Sequence, residues 1–284
     1  MNAERQIVRQ AHGAGRWFPA DAAELRDMVT RFIDDVKVPE VKGRIVGAIA
    51  PHAGYIYSGK VAGHVFRALR DLAGGPDEPE TVVVLGFSHR APLRHTALMD
   101  GDAIATPLGE TPLDTDALAV LTGAEPRIVA DYRAHAGEHS AENEIPFVQA
   151  ALPSAKLVVG LIGDRDPVAI DGLVRALSAL AKQKRILVVA SSDMLHDPSY
   201  ELVRKTDQAT LRKVVAMDVT GIQGDWDYGH QTFCGIGPVS TVMKFAQAQG
   251  CNRGTLLYYR NSGDDYPESR GEWVVGYGAV IFTV

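Results

Sequence analysis

Four short runs of aliphatic residues constrain this chain more than any other feature: RIVGAIA (44–50), TVVVLGF (81–87), KLVVGLI (156–162) and RILVVAS (185–191). None alternates apolar with polar residues, so each reads as a strand covered on both faces, as central strands of a parallel sheet are. Between them apolar residues recur at helical spacing, around 21–37, 60–72, 114–122, 141–151, 167–182, 199–217 and 237–249, and EWVVGYGAVIFTV (272–284) reads as a closing strand. Strand and helix in alternation predict an α/β fold with a mostly parallel central sheet, helices on both faces and some antiparallel strands at its edges. At 284 residues and 46% hydrophobic the chain can bury such a sheet. Its Gly/Pro clusters, such as GGPDEP (74–79), are loop-sized, and with no linker, repeat or low-complexity tract residues 1–284 read as a single domain.

Charge and cysteine content exclude several classes. The net charge is −6, the pI is near 5.8, and Lys and Arg are dispersed. The basic footprint of a nucleic-acid binder is therefore missing, and a small-molecule or peptide ligand is expected instead. The opening MNAERQIVRQAHGAGRWFPA has no apolar signal-like core, and no apolar run reaches the ~20 residues that cross a bilayer. These features predict a cytoplasmic protein with no membrane contact. Two cysteines, Cys234 and Cys251, are too few for a disulfide scaffold, which leaves each free to be a buried hydrophobe, a ligand or a nucleophile.

Titratable residues gather just after the aliphatic runs. His52 follows the first in APHAGYIYSG, with a turn expected around Pro51 and Gly54; His89 follows the second in LGFSHR; Asp193 and His196 follow the fourth in SSDMLH. Three strands thus deliver such groups at their carboxyl ends, where open α/β sheets bind ligands. HQTFCGIGP (230–238) adds Cys234 just before a helix expected to start near Pro238. A thiol beside a helix N-terminus is expected to have a lowered pKa, although a free cysteine can equally be an inert core residue. GEHSAENEIPF (137–147) puts Glu138, His139 and Glu142 at a helix start, with His139 and Glu142 on one face. That stretch reads equally as a capped helix with Ser140 as N-cap, although Asn143 stands where a capping box wants Glu or Gln. His12, His64, His95, His135 and His230 read as surface or packing residues, and Cys251 as core.

Two imidazoles and a thiolate make a three-ligand set for copper(I), zinc or iron(II) with a coordination position left open. Asp193 would then orient a ligand histidine and His196 would move a proton. The same residues also allow nucleophilic chemistry, with Cys234 as thiolate and His52, His89 or His196 as its base. Ligands scattered this widely have no diagnostic spacing, so the residues alone leave both open.

Seven motifs occur together and in order: PHAGYIYSG, LGFSHR, TPLG (106–109), EHSAENEIPF, SSDMLHD, TFCGIGP and VVGYGAVIF. In this the chain resembles the Memo family, whose bacterial members are called AmmeMemoRadiSam system protein B, along nearly its whole length from GRWFPADAAEL onward. The resemblance implies a fold similar to the class III extradiol (LigB-like) dioxygenases, which hold non-haem iron on two histidines and a carboxylate. It implies that His52 and His89 match the histidine ligands, that Cys234 takes the carboxylate's position, and that His196, flanked by Asp193, matches the proton-transferring histidine. It also implies iron or copper binding, redox chemistry, and radical SAM and AMMECR-type proteins as partners; no nucleotide cofactor is expected. Many members read P-S-H-H where this chain has Phe87-Ser88-His89-Arg90, so Arg90 brings a fixed positive charge to the pocket, suited to an anionic substrate. Tyr55, Arg90, His139 and Glu142 are the expected substrate-binding residues, with Tyr57 beside them in the cleft. The leading expectation is a metal-dependent redox protein; the alternatives are a non-catalytic ligand- or peptide-binding protein that keeps the pocket, and a cysteine-dependent hydrolase.

Overall fold

The computed structural model describes residues 6–90, 92–163 and 166–284. Residues 1–5, within the stretch read above for a leader, lie outside them, as do the remaining few positions of the expected single domain. The strands are β1 (Val8–Gln10), β2 (Ile45–Ala50), β3 (Thr81–Gly86), β4 (Thr96–Leu98), β5 (Ala103–Thr106), β6 (Gly109–Pro112), β7 (Ile128–Ala130), β8 (Lys156–Ile162), β9 (Ile186–Ser191), β10 (His196–Asp197), β11 (Gly254–Asn261) and β12 (Val274–Thr283). Among the described residues the main sheet runs β10-β12-β2-β9-β3-β8-β4-β7, with β11 on the other side of β12. Its centre, β2-β9-β3-β8, is parallel throughout, and these are the four aliphatic runs of the sequence. The closing strand β12 is antiparallel to β2, and β4 is antiparallel to β8, so the direction changes only toward the edges, as expected. A separate small sheet, β1-β5-β6, places TPLG at the turn of its hairpin.

The continuous hydrophobicity of the central strands has a direct cause. Val82 and Val84 of β3 face one core, and Val83 and Leu85 face the other. Helices Ala22–Asp34, Tyr55–Arg70 and Ile145–Ala151 cover the first with Leu25, Val65 and Phe147; helices Pro167–Ala181, Tyr200–Val215 and Ile236–Ala248 cover the second with Leu177, Val214 and Val242. Apolar side chains cover both faces, so buried polar side chains in these central strands stand only at strand ends, as Thr81 of β3 and Ser191 of β9 do.

Two helix starts differ from the sequence reading. The helix expected at 60–72 begins at Tyr55, with Gly54 as N-cap, because the carbonyl of Trp17 takes the N–H of Tyr55 from outside. The helix expected at 141–151 begins as a 3-10 turn, Glu142–Glu144, before Ile145–Ala151. Ser140 does not cap it. Its hydroxyl instead accepts from the Phe87 N–H at 3.0 Å and donates to the Phe87 carbonyl at 2.6 Å, lacing this segment to the loop after β3. Gly86 permits that contact, since a β-carbon there would come within 2.5 Å of Ser140 Oγ.

Candidate functional site

β2, β9 and β3 are neighbours, and the chain leaving each carries one or two polar groups to the same rim. His52 lies two residues past β2, Asp193 two past β9 and His89 three past β3. β10 pairs with the start of β12, His196 opposite Val275, while β2 pairs further along the same strand, so His196 stands beyond the end of β2. Cys234 arrives from the opposite direction, just before the helix Ile236–Ala248; its N–H donates to the Asp193 carbonyl at 3.1 Å.

The groups meet around His52, which is 1% exposed. Its Nε2 lies 3.5 Å from Cys234 Sγ and 4.0 Å from Asp193 Oδ2, and its Nδ1 lies 3.0 Å from Ser191 Oγ. Asp193 Oδ1 accepts the N–H groups of His52 and Ala53 at 2.8 and 3.2 Å, which ties the loop after β2 to that after β9. The ring centroid of His52 is 5.4 Å from that of His89 and 5.5 Å from that of His139. His89 and His139 stack at 4.6 Å, and Trp17 lies flat on the far face of His139 at 3.9 Å. Among the described residues two groups of three ligand-type side chains have donor atoms all within 4.8 Å of one another: His52, His89 and His139, and His52, Asp193 and Cys234. His89 and Cys234, both expected ligands, thus fall in different groups that share His52.

Glu138 holds the first group. One carboxylate oxygen accepts from His89 Nδ1 at 2.9 Å and from the N–H groups of His139 and Ser140 at 2.8 and 2.9 Å; the other accepts the His89 N–H at 2.6 Å. Burial works to raise its pKa, but these donors, the His89 ring foremost, hold it at about 2. With Nδ1 so engaged, His89 keeps Nε2 for another partner.

The rings of His52 and His139 are neutral. Burial, then the neighbouring His89, lowers the pKa of His52 to about 3; burial, then His52 and His89, lowers that of His139 to about 3. The His52–Asp193 approach is therefore no ion pair. His196 is also lowered by burial against an upward pull from Asp193, and its buried Nε2 has no hydrogen-bond partner among the described residues. The thiol reverses the sequence expectation. Burial, then the Asp193 carboxylate, pushes the Cys234 pKa up, and these outweigh the hydrogen bonds from Ser192 and the Gly235 N–H. A nearby helix start does not offset a desolvated site with a carboxylate in it.

Two cavities meet here. One, of about 940 Å³, is lined by His52, Asp193, Trp17, Tyr55, Tyr57 and Tyr266 among others; the second, of about 580 Å³, is lined by Cys234, Leu195, Tyr228, His230 and Gln231. His89, His196 and Trp273 border both.

The expected substrate-binding residues separate. Tyr55 lies in the cleft floor, but its hydroxyl is spent on the Asn143 carbonyl at 2.7 Å. His139 lines the cleft. Glu142, 3% exposed, takes the Gly13 N–H at 2.5 Å and lines neither cavity; the turn at 142–144 carries it away from His139 and onto the N-terminal segment. Arg90 packs over Gly137 and also lines neither. His12, His64, His95 and His135 engage Tyr132, Tyr258, Asp131 and the Ala97 carbonyl away from this cluster, and Cys251 is buried at the Arg253 carbonyl. The sequence reading missed Trp17, Trp273, Ser191 and Glu144. A signal existed for Glu144 alone: it sits three and four residues before Phe147 and Val148, on an otherwise apolar face.

Comparison with known proteins gives the family and a likeness of fold. The family model described as Memo-like protein matches residues 9–281. A MEMO1 family protein of Methanopyrus kandleri is 31% identical over 282 residues, covering 95% of this chain and 96% of that protein. Another, of Methanosarcina acetivorans, is 32% identical over 277 residues, covering 96% and 98%. The crystal structure of an uncharacterized protein of Escherichia coli K12 superposes with a TM-score of 0.51 at 14% identity, covering 84% of this chain and 99% of that one, a likeness of fold. With a family match running from β1 into β12 and relatives this similar end to end, the chain belongs to the Memo family.

Proposed function

We propose that the protein is a metal-dependent redox protein whose ion, iron or copper with zinc as a further fit, is held by His52, His89 and Cys234, with His196 and Asp193 handling protons. The observation that carries this reading is the double membership of His52, whose ring belongs to both close groups of ligand-type side chains. The donors suit such an ion. His52 is neutral, His89 has its Nδ1 engaged by Glu138, which leaves Nε2 for a ligand, and the buried Nε2 of His196 has no partner among the described residues. Imidazole and thiolate together favour borderline and soft transition ions over hard ones. When bound, the ion would supply a redox couple or a Lewis acid beside the substrate and would keep the Cys234 sulfur as thiolate.

The chain's own residues do the rest. Asp193 grips the backbone of the His52 loop and fixes where the ring stands. His196, neutral and bordering both cavities, can take a proton from a bound ligand or return one. Trp17, Tyr57 and Trp273 line a cleft large enough for a drug-sized organic ligand. A cysteine-dependent hydrolase fits less well, because burial and Asp193 both oppose the thiolate such an enzyme needs.

Elemental analysis of protein purified without added metal tests this. About one iron or copper per chain is expected, lost at least tenfold in His52→Ala and in Cys234→Ala. A wild-type chain that is metal-free and takes up neither Fe(II), Cu(I) nor Zn(II) on titration would reject the reading.

A further inference from the structure

The hydroxyl of Ser191 has one proton and three close partners: the Ser140 carbonyl oxygen, Glu144 Oε1 at 2.8 Å and His52 Nδ1 at 3.0 Å. A carbonyl oxygen can only accept, so in its contact with Ser140 the Ser191 hydroxyl must donate and its O–H points to that oxygen. The lone pairs of Ser191 Oγ then face the other two groups, and both must donate. Glu144 donates only as the carboxylic acid, and His52 only as the Nδ1–H tautomer. Any other assignment presses two acceptors together where all three side chains are sealed from solvent, at 0%, 1% and 1% exposure for Ser191, Glu144 and His52. Among the described residues no cation acts on Glu144, and its Oε2 has no hydrogen-bond partner. A negative charge there would be buried and unpaired.

We propose that Glu144 is a positioning residue: as the neutral acid it donates to Ser191 Oγ and, through that oxygen, fixes His52 in the Nδ1–H form with the Nε2 lone pair turned toward Cys234 Sγ. Burial acts in the same sense, raising the Glu144 pKa to about 8 against the lowering effect of the Ser191 hydrogen bond, with Asp193 adding to the rise. The two histidines at the centre of the cluster are thus oriented by carboxyl groups in opposite charge states. Glu138 receives the His89 Nδ1–H directly as an anion; Glu144 works through a hydroxyl and carries no charge. The consequence for metal affinity rests on the metal reading above, whereas the tautomer does not.

The test uses the metal-free protein near neutral pH. Imidazole ¹⁵N–¹H correlation spectra should show His52 protonated at Nδ1. Infrared difference between wild type and Glu144→Gln should show a carboxylic-acid carbonyl band that the substitution removes. Glu144→Gln places an amide N–H where the acid O–H stood, so the His52 tautomer should be unchanged and Co(II) affinity altered less than about threefold. Ser191→Ala removes the hydroxyl acceptor and leaves only the main-chain carbonyl of residue 191 beside Nδ1, so it should loosen the ring and weaken Co(II) binding by about tenfold or more; a His52 spectrum and Co(II) affinity unchanged in this variant would overturn the role given to Glu144. Protonation of His52 at Nε2 in the wild type would overturn the proposal, as would a Glu144→Gln protein whose His52 is as disturbed as in Ser191→Ala. The wild-type spectrum decides the tautomer should either variant fail to fold. A protein that binds no metal would remove the functional reading and leave the tautomer result to stand or fall alone.

Discussion

Glu138 supports the imidazole cluster with one carboxylate that satisfies a ring nitrogen and three main-chain N–H groups. Its folded pKa, about 2, is depressed from 4.5, so its contribution to stability is fully present above about pH 4.5 and is lost as pH falls from there toward 2. Glu138→Gln supplies an N–H where donors already converge. We expect it to cost on the order of 3 kcal/mol at neutral pH, an amount that shrinks toward pH 3, as urea unfolding at each pH would read. Equal destabilisation at both pH values would show that the charge is not what matters. The sequence reading named Glu138 beside His139 at a helix start but could not see its role, because the His89 it orients lies 49 residues away. His52, His89, Asp193 and His196 were legible because each follows a strand that its hydrophobicity gives away. Ser191 was not, since a serine ending an aliphatic run carries no local mark, and the apolar face around Glu144 marks that acid as buried without showing what it faces across the fold.

At the scale of elements, the helix Tyr55–Arg70 sets the position of His52, three residues before its first turn. It packs on the helix Ala22–Asp34 so closely that a β-carbon at Gly63 would stand 2.1 Å from the Phe32 carbonyl oxygen and one at Gly59 would stand 2.3 Å from the Phe32 ring. Propensity alone says Gly63→Ala should stabilise a helix interior by about 1 kcal/mol. The backbone contact reverses the sign. We expect a loss of about 2 kcal/mol or more by chemical denaturation, because a carbonyl cannot swing aside as a side-chain end can. A Gly63→Ala protein as stable as wild type would mean the two helices separate freely. The early start of this helix was hidden in the sequence for a related reason: the group that takes the Tyr55 N–H is the Trp17 carbonyl, and no pattern within residues 50–60 announces a partner so distant.

Across the whole molecule, buried titrating groups pull stability in opposite directions. His52, His139 and His135 fall from 6.5 to about 3, 3 and 4, so between those limits the unfolded chain binds more protons and stability drops as pH falls. Glu144 and Glu142 rise from 4.5 to about 8 and 7, and Asp207 rises from 3.8 to about 7, so between those limits the folded chain binds more protons and stability drops as pH rises. The two sets roughly cancel from about pH 4.5 to 6.5. Metal-free protein should therefore show a plateau of urea midpoints in that window, lower values by pH 8 and lower values below pH 4; a midpoint climbing steadily from pH 5 to 8 would contradict this balance. The architecture itself was readable, since double-sided burial writes itself into unbroken aliphatic runs, whereas the charge balance depends on which acids the fold encloses. One strand has a further consequence. Val280–Thr283 of β12 measures off β2, and Val274–Val275 of the same strand measures off β10, so a single ruler spaces His52 and His196. Inserting or deleting one residue between Val275 and Val280 would slide one mark against the other by roughly 3.4 Å and turn every following side chain to the opposite face. Insertions and deletions should thus be tolerated in the chain's outer loops and forbidden in this short interval.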